Sequence, residues 1–480
     1  MAYLTYTADD PRNPSASYRA QDDAYRLIEA ALAGSAHVRR HAETFLPRYT
    51  AETGGEYRRR LASAPWRPEF EDCIRNIAAK PFSKPVSLQG TVSSKITEIA
   101  EDVDTLGNNL HVFSAHTFWM GIAFGLQGIL VDHTSQQPAR TRAEEIASGA
   151  RPYWVQVPAQ SLLALRTEML GGKTVVTHAR IGETVIEPDG AFGERTVDQV
   201  RVFEPGRWEL WQTDSKNQMR LVDEGRTALS RVPLALFYTG SRLSYGSHPR
   251  PPLVDLADMQ MELYRALSRE DEVLTFAGSP MLTANGMARP PGGETIEIGP
   301  KRILFAPNSG TGQTSWDFIQ PAADNIRAIG EHIKRIEDDM RRLGLQPLLP
   351  RSGDLTATVG ALEAAKAHSA VEAWANALQD ALEQALLFTS ELMGEQPTAE
   401  VSVHTDFGVD LDGGADMGEL LKARMAGEIS RETYWAEMQR RGKLGPQFDP
   451  KEEEERLEAD MPDAPLPVPI QTVVPPIETR

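Results

Sequence analysis

The sequence predicts an α+β protein, on three observations. Helix-type punctuation fills residues 20–80 and returns at 96–110, alternation of apolar and polar residues sets in from Tyr153, and the segments after Pro321 carry heptad-spaced apolar stripes.

Residues 24–34 (AYRLIEAALAG) read as a helix that Gly34 stops. The pair Gly54-Gly55 breaks the next helical stretch, and a basic, amphipathic Tyr57-Arg58-Arg59-Arg60-Leu61 follows. Ile96 to Leu110 is a further helix, with Ile96, Ile99 and Val103 on one face. From Tyr153 the period changes to two. KTVVTHARI (173–181), DQVRVFEPGRWELWQT (198–213) and VPLALFY (232–238) predict strands of a mostly antiparallel, hairpin-connected sheet. Gly171-Gly172 turns one strand into the next.

At Pro251-Pro252 helical spacing returns. Leu253 to Phe276 places Leu256, Leu263, Leu267 and Leu274 at near-helical intervals, and Gly278 and Pro280 stop it. Residues 281–320 hold short strands (TIEIG, RILFAP, SWDFIQ) between Gly and Pro turns, and Pro321 opens the next helix. There Ile326, Ile329, Ile333, Ile336, Met340 and Leu343 follow a 3-4-3-4-3 spacing. The opposite face is dense in charge, with Arg327, Glu331, Lys334, Arg335, Glu337, Asp338, Asp339, Arg341 and Arg342. Gly344 ends this helix, and Leu345 to Asp354 is a non-helical loop with two prolines. Thr356 to Met393 forms one long helix on Val371, Trp374, Leu378, Ala381, Ala385, Phe388 and Leu392. Unbroken, it reaches about 55 Å. Hairpin-like strands (399–407), a turn (409–420) and two helices (around 429–442 and 450–460) come next. The proline-rich Met461 to Arg480 has no helical period and reads as a mobile tail.

The 480 residues leave room for more than one folded region, and 41% hydrophobic content allows a sizeable core. Against 68 Asp+Glu stand 50 Lys+Arg, a net charge of −18. A generalist nucleic-acid binder carries the opposite sign, because cations must displace phosphate counterions. If DNA is met, the balance favours sliding contact, with local basic rings still able to touch it. The one cysteine, Cys73, excludes an intramolecular disulfide and reads as a small buried apolar residue. The N-terminus lacks a basic segment followed by an apolar run, so no secretory signal is expected. Phe118 to Val131 is apolar but short of the ~20 residues of a membrane span, and reads as a buried segment. A soluble protein of the cytoplasm is the expectation.

Catalytic motifs fail in turn. Gly172-Lys173-Thr174 resembles the end of a phosphate loop, but position 167 is Thr where that motif needs glycine, and a strand follows where it needs a helix. His111 and His116 lack a glutamate at metalloprotease spacing and read as capping or core residues. Asp410, Asp412 and Asp416 lack the bidentate glutamate of a calcium loop. There is no G-x-S-x-G elbow. No catalytic residue, metal or cofactor is expected.

Several short segments share a pattern with one family. They are Leu46-Pro47-Arg48 with Tyr57, Arg60 and Ala62; Pro81-Phe82-Ser83-Lys84-Pro85; and Arg151-Pro152-Tyr153 leading to Pro158 and Leu165-Arg166. Val232-Pro233-Leu234, Pro251-Pro252-Leu253 with Leu256-Ala257, and Thr356-Ala357-Thr358 follow in order. With the succession helix, small β insert, helix, proline-bearing loop and very long helix, the chain resembles the tailed-phage portal (head-to-tail connector) family. Within it, the chain is similar to the branch catalogued as a phage domain of unknown function. The resemblance spans roughly residues 40–440.

The resemblance implies a wing region (1–250), a stem helix (251–277), a clip (278–320) and a second stem helix (321–343). A tunnel loop (344–356), a long tunnel helix with its return to the wing (357–414), a helical crown (415–460) and the tail (461–480) complete it. It implies a ring, usually a dodecamer, at the unique capsid vertex, assembled in the host cytoplasm and serving DNA packaging and ejection. The implied partners are further copies of the chain, the terminase large subunit, a head-tail adaptor, the major capsid or scaffolding protein, and double-stranded DNA passing non-specifically. No membrane or ATPase is implied. By the same analogy Gln346, Pro347, Leu348, Leu349, Pro350 and Arg351 form the channel constriction, where only Arg351 is able to grip phosphate. The stripe from Ile326 to Leu343 is expected to pack on the helix 253–276, leaving Lys334, Arg335, Asp338, Arg341 and Arg342 to the channel. A competing role for Arg335 and Arg341 is salt bridging between subunits. The other reading is a different virion structural protein such as a head-tail adaptor, although those are usually shorter and lack paired helices around a β insert. A soluble enzyme needs convergent acid–base residues that the sequence does not show.

Overall fold

The computed structural model describes residues 6–133, 151–227, 229–241, 246–278, 281–285, 315–319, 323–344, 357–396, 398–405 and 407, then 415–440 and a few positions beyond. The chain divides into two compact units, Met1–Phe407 and Gly408–Arg480. It is mixed α and β, as the sequence predicts.

Five helices open the first unit: α1 (Ala16–Arg19), α2 (Asp22–Arg40), α3 (Ala42–Phe45), α4 (Gly54–Ser63) and α5 (Glu69–Ala79). Gly34 kinks α2 at φ +73° without ending it, and the helix resumes to Arg40. Glycine enters the left-handed region at little cost, so the axis bends there. Gly54 and Gly55 likewise start α4 where the sequence suggested a break. Thr53 is the reason: its hydroxyl accepts the Glu56 N–H, and the Glu56 carboxylate accepts the Thr53 N–H at 2.8 Å, a reciprocal cap that nucleates the turn.

The strand β1 (Ser87–Gly90) precedes α6 (Ser94–Glu101) and α7 (Leu110–Phe124). The single helix expected over 96–110 is therefore two ends with a turn between them. Asp104 accepts the backbone N–H groups of Leu106 and Asn108, and Asp102 accepts that of Gly107. Short polar side chains offer the backbone an alternative to helical bonding, and they win here.

Then come β2 (Leu126–His133), β3 (Pro152–Pro158), β4 (Leu162–Leu170), β5 (Lys173–Asp189), β6 (Gly193–Glu204), β7 (Arg207–Thr213), β8 (Met219–Arg226) and β9 (Leu234–Tyr238). They build two antiparallel sheets, a three-stranded β3-β2-β9 and a five-stranded meander β4-β5-β6-β7-β8. The central β2 is buried from Leu126 to Val131, so the apolar run 118–131 is split between a buried helix end and a core strand. Gly125, at φ +79°, makes that corner, and a side chain there meets the Pro251 backbone at 3.0 Å.

After the sheets come α8 (Val254–Gly278), β10 (Met281–Asn285), β11 (Ser315–Ile319), α9 (Ala323–Leu343), α10 (Ala357–Met393) and β12 (Ala399–Ser402). The helix α10 packs with α7 on the three-stranded sheet. Trp154 of β3 donates its indole N–H to the Thr389 hydroxyl at 2.9 Å, pinning the two layers. The segment 399–407 is not a hairpin of its own: β12 pairs with β1, Leu88 opposite Val401, some three hundred residues upstream. Alternation specifies that a strand exists, and leaves its partner to the fold.

In the second unit α11 (Ala415–Met425) and α12 (Arg431–Arg440) pack together. The turn expected over 409–420 thus contains a helix start at Ala415. Ser430 caps α12 by accepting the Thr433 N–H at 3.1 Å. The strands expected at 295–299 and 302–307, most of the helix at 450–460 and the tail 461–480 lie outside the described residues.

Candidate functional site

The paired helices α8 and α9 carry the charged surface that the sequence singles out. Gly330 lies 3.8 Å from the Glu270 carboxylate when given a Cβ, and His332 Nε2 lies 4.0 Å from Glu262 Oε1. Partners on α8 run backward as α9 runs forward, so the helices are antiparallel. At their shared end β10 and β11 pair antiparallel, Met281 opposite Ile319.

The apolar stripe of α9 divides by depth. Ile333, Ile336 and Met340 are buried, Ile329 is half-buried against the core, and Ile326 is intermediate. Leu343 is 52% exposed and lies off the buried stripe. Its neighbour explains this: Gly344 turns inward against Cys73, where an added Cβ meets Sγ at 2.6 Å. The helix stays regular, with the Gly344 N–H donating to the Met340 carbonyl at 2.8 Å, so Gly344 continues the buried side at 3.6 residues per turn and Leu343 is left outside.

The five polar residues assigned to the channel face also separate. Arg341 pairs with Glu69 of α5 at 3.2 Å, and Arg342 with Asp339 one turn back at 3.3 Å. Arg341 thus has an ion-pair partner inside its own chain. Glu337 pairs with Arg67, and Asp338 is half-buried. Lys334 and Arg335 are exposed and make no ion pair with the described residues. The constriction residues Gln346, Pro347, Leu348, Leu349, Pro350 and Arg351 lie outside the described residues.

A second cluster anchors this helix pair to the N-terminal helices, and it uses the motif Leu46-Pro47-Arg48 with Tyr57 and Arg60. Arg60 is 4% exposed and grips Glu52 through two bonds of 2.8 Å, with a third to the Pro47 carbonyl at 2.9 Å. Tyr57 donates to the Leu46 carbonyl at 2.9 Å. The Arg60 guanidinium sits 4.2 Å from the Tyr49 ring and 3.9 Å from Glu272 on α8. The Arg60 hydrogen bonds hold the Glu52 carboxyl below its ordinary range, whereas burial raises Glu272. A bidentate fork in a desolvated site fixes geometry as well as charge. Sequence reasoning found the motif and missed Glu52, because nothing local marks a glutamate eight residues away as its partner.

Of the residues weighed for chemistry, the glycine pair, the histidines and the cysteine have structural work, whereas Asp410 and Asp412 lie outside the described residues. Gly171 and Gly172, at φ +59° and +79°, form the β4–β5 turn, so Lys173 opens a strand. His111 accepts the Val86 N–H at 3.3 Å, and His116 stacks on Trp119 with ring centroids 6.5 Å apart. Burial pushes the Cys73 thiol up to about 12, which keeps it protonated. Among the described residues no cluster of three His, Cys, Asp or Glu side chains is placed to hold a metal ion, and no helix is long and apolar enough to cross a membrane.

Residues 252–393, less than a third of the chain, match a family described as Domain of unknown function (DUF4055). No curated protein sequence matches. The chain is similar to solved structures from gene transfer agent (GTA) particles. One, from the neck of a native GTA particle computed with C12 symmetry, is 12% identical, with TM-score 0.43 over 82% of this chain and 96% of that one. Another, from the neck of an empty GTA particle computed with C6 symmetry, is 12% identical, with TM-score 0.42 over 76% and 88%. A third, from the virion of a native GTA particle, is 11% identical, with TM-score 0.40 over 82% and 96%.

Proposed function

We propose that this chain is the subunit of a portal ring at the unique vertex of a viral capsid, a structural conduit for double-stranded DNA in packaging and ejection. The observation that carries the reading is the antiparallel pair α8–α9, joined through the β10–β11 ladder and followed by the 37-residue α10. That order matches the stem, clip, stem and tunnel helix of the family the sequence resembles. Closed cyclic symmetry repeats each exposed side chain about the axis, so Lys334 and Arg335 become collars of charge. A conduit needs weak, sequence-blind contact, since a firm phosphate grip stalls movement, and a net charge of −18 suits that need. No catalytic step is assigned to the subunit. The terminase large subunit docks at the β10–β11 end in this reading, with head-tail adaptor and capsid or scaffolding protein contacting the same ring.

Negative-stain imaging of the purified full-length protein tests the reading, together with its mass in solution. Rings with an axial hole, about twelve subunits around by the family resemblance, are expected. A compact monomer at every concentration overturns the proposal.

A further inference from the structure

The β5–β6 hairpin outruns its sheet. Pairing with β4 stops at Leu162 opposite Ile181, and pairing with β7 stops at Gln199 opposite Gln212. Residues 184–198 therefore form a two-stranded ribbon, paired onward to Asp189 opposite Gly193. Such a ribbon is marginal without further support. At its tip Phe192 is 102% exposed, and Ile186 on the arm is 65% exposed. The charges beside the tip are acidic: Arg195 is held by Glu187 at 2.7 Å, which leaves exposed Asp189 and Glu194 flanking the ring.

A cavity of about 600 Å³ lies between the β4–β5 hairpin, β9 and α10. Its walls include Leu165, Val175, Leu236 and Leu387, and its cations are Lys173 and Arg231. Arg231 pairs with Glu391 at 2.5 Å through one nitrogen, while its buried Nε has no hydrogen-bond partner among the described residues. Lys173 is exposed. The cavity thus combines apolar walls interspersed with Thr167, Thr174, Ser247 and Gln384, room for an aromatic ring, and the exposed Lys173 at its edge.

We propose that Phe192 of one copy inserts into this cavity of the next copy, with the acidic Glu194 and Asp189 meeting the exposed Lys173 at its edge. The chain's own tip is not the occupant. Lys173 and Asp189 are opposite ends of β5, about 50 Å apart at ~3.3 Å per residue. Knob and hole are different patches of one chain, and a heterologous contact of that kind closes into a ring under cyclic symmetry. The acidic tip opposite Lys173, and the fully exposed Phe192 at the end of a two-stranded ribbon, favour a second copy as the occupant.

The inference rests on the ring reading, and one assembly series separates the two. Full-length wild type, Phe192→Asp, Lys173→Glu, Glu194→Lys and the double charge-swap variant are compared by native mass and negative stain across a concentration series. Phe192→Asp is expected to raise the concentration for half-assembly at least about tenfold, as loss of a central aromatic anchor does. Each single charge reversal is expected to weaken assembly, and the swap to restore it. Phe192→Asp rings at wild-type concentrations overturn the inference and leave the ring reading standing, and a swap no better than its single variants overturns the cavity as the occupant's seat. A wild type that never assembles overturns both.

Discussion

Arg60 shows how one residue ties separate segments together. Its fork satisfies Glu52 and the Pro47 carbonyl in a buried site, so Arg60→Ala leaves a buried carboxylate without its paired cation, though still bonded to the Tyr49 N–H at 3.1 Å. A loss of about 3–5 kcal/mol is expected, read as a drop in the urea midpoint; a loss below about 1 kcal/mol contradicts the buried pairing. His248 carries a second prediction. It is 2% exposed, donates from Nε2 to the Leu162 carbonyl at 2.6 Å, and faces the Ser17 and Ser247 hydroxyls through Nδ1. Burial pushes its imidazole down to about 4 from an ordinary 6.5. The unfolded chain therefore takes up a proton that the folded one refuses as pH falls from about 6.5 towards 4. Stability contributed by neutral His248 is complete above that window and falls by roughly 3 kcal/mol across it. Replacing His248 with Gln removes this part of the pH slope, and an unchanged slope counts against the assignment.

At the scale of the element, depth along α9 separates residues that the heptad pattern treats alike. Met340 is 0% exposed, whereas Leu343 is 52% exposed. Met340→Ala is expected to cost about 2–5 kcal/mol through lost burial and a residual cavity. Leu343→Ala stays within about 0.5 kcal/mol, as an exposed change does. Equal costs in thermal or urea unfolding mean that the helix sits in a different rotation. The departure arises at Gly344, whose approach to Cys73 admits no side chain.

For the whole molecule, the proposed ring would repeat each exposed side chain around its axis and turn modest side chains into collars. Reversing Lys334 and Arg335 together to Glu is expected to leave stability within about 0.5 kcal/mol, because both are exposed. The same variant is expected to lower the DNA held per particle. If packaging and retention match wild type, these residues do not face the channel. Arg351→Glu probes the constriction that the family resemblance implies, and under the portal proposal is expected to reduce packaged DNA while rings persist. Normal packaging by that variant counts against Arg351 at the proposed constriction.

Local signals travelled far in this chain. The β4–β5 turn at Gly171-Gly172, the first part of β5, the strands β6, β7 and β9, and the long helices α8, α9 and α10 were legible because each is written in neighbours a few residues apart, whereas β8 and the outer half of β5 were not. The sequence by itself also determined the net acidity, the lone cysteine and the failure of the phosphate-loop spacing. Only the tertiary structure decided that β12 joins β1, that Arg341 pairs with Glu69 and that Glu52 receives Arg60. These contacts depend on which surfaces meet after folding. Periodicity reports which side of an element is apolar, and a partner brought from elsewhere in the chain leaves no mark on that pattern.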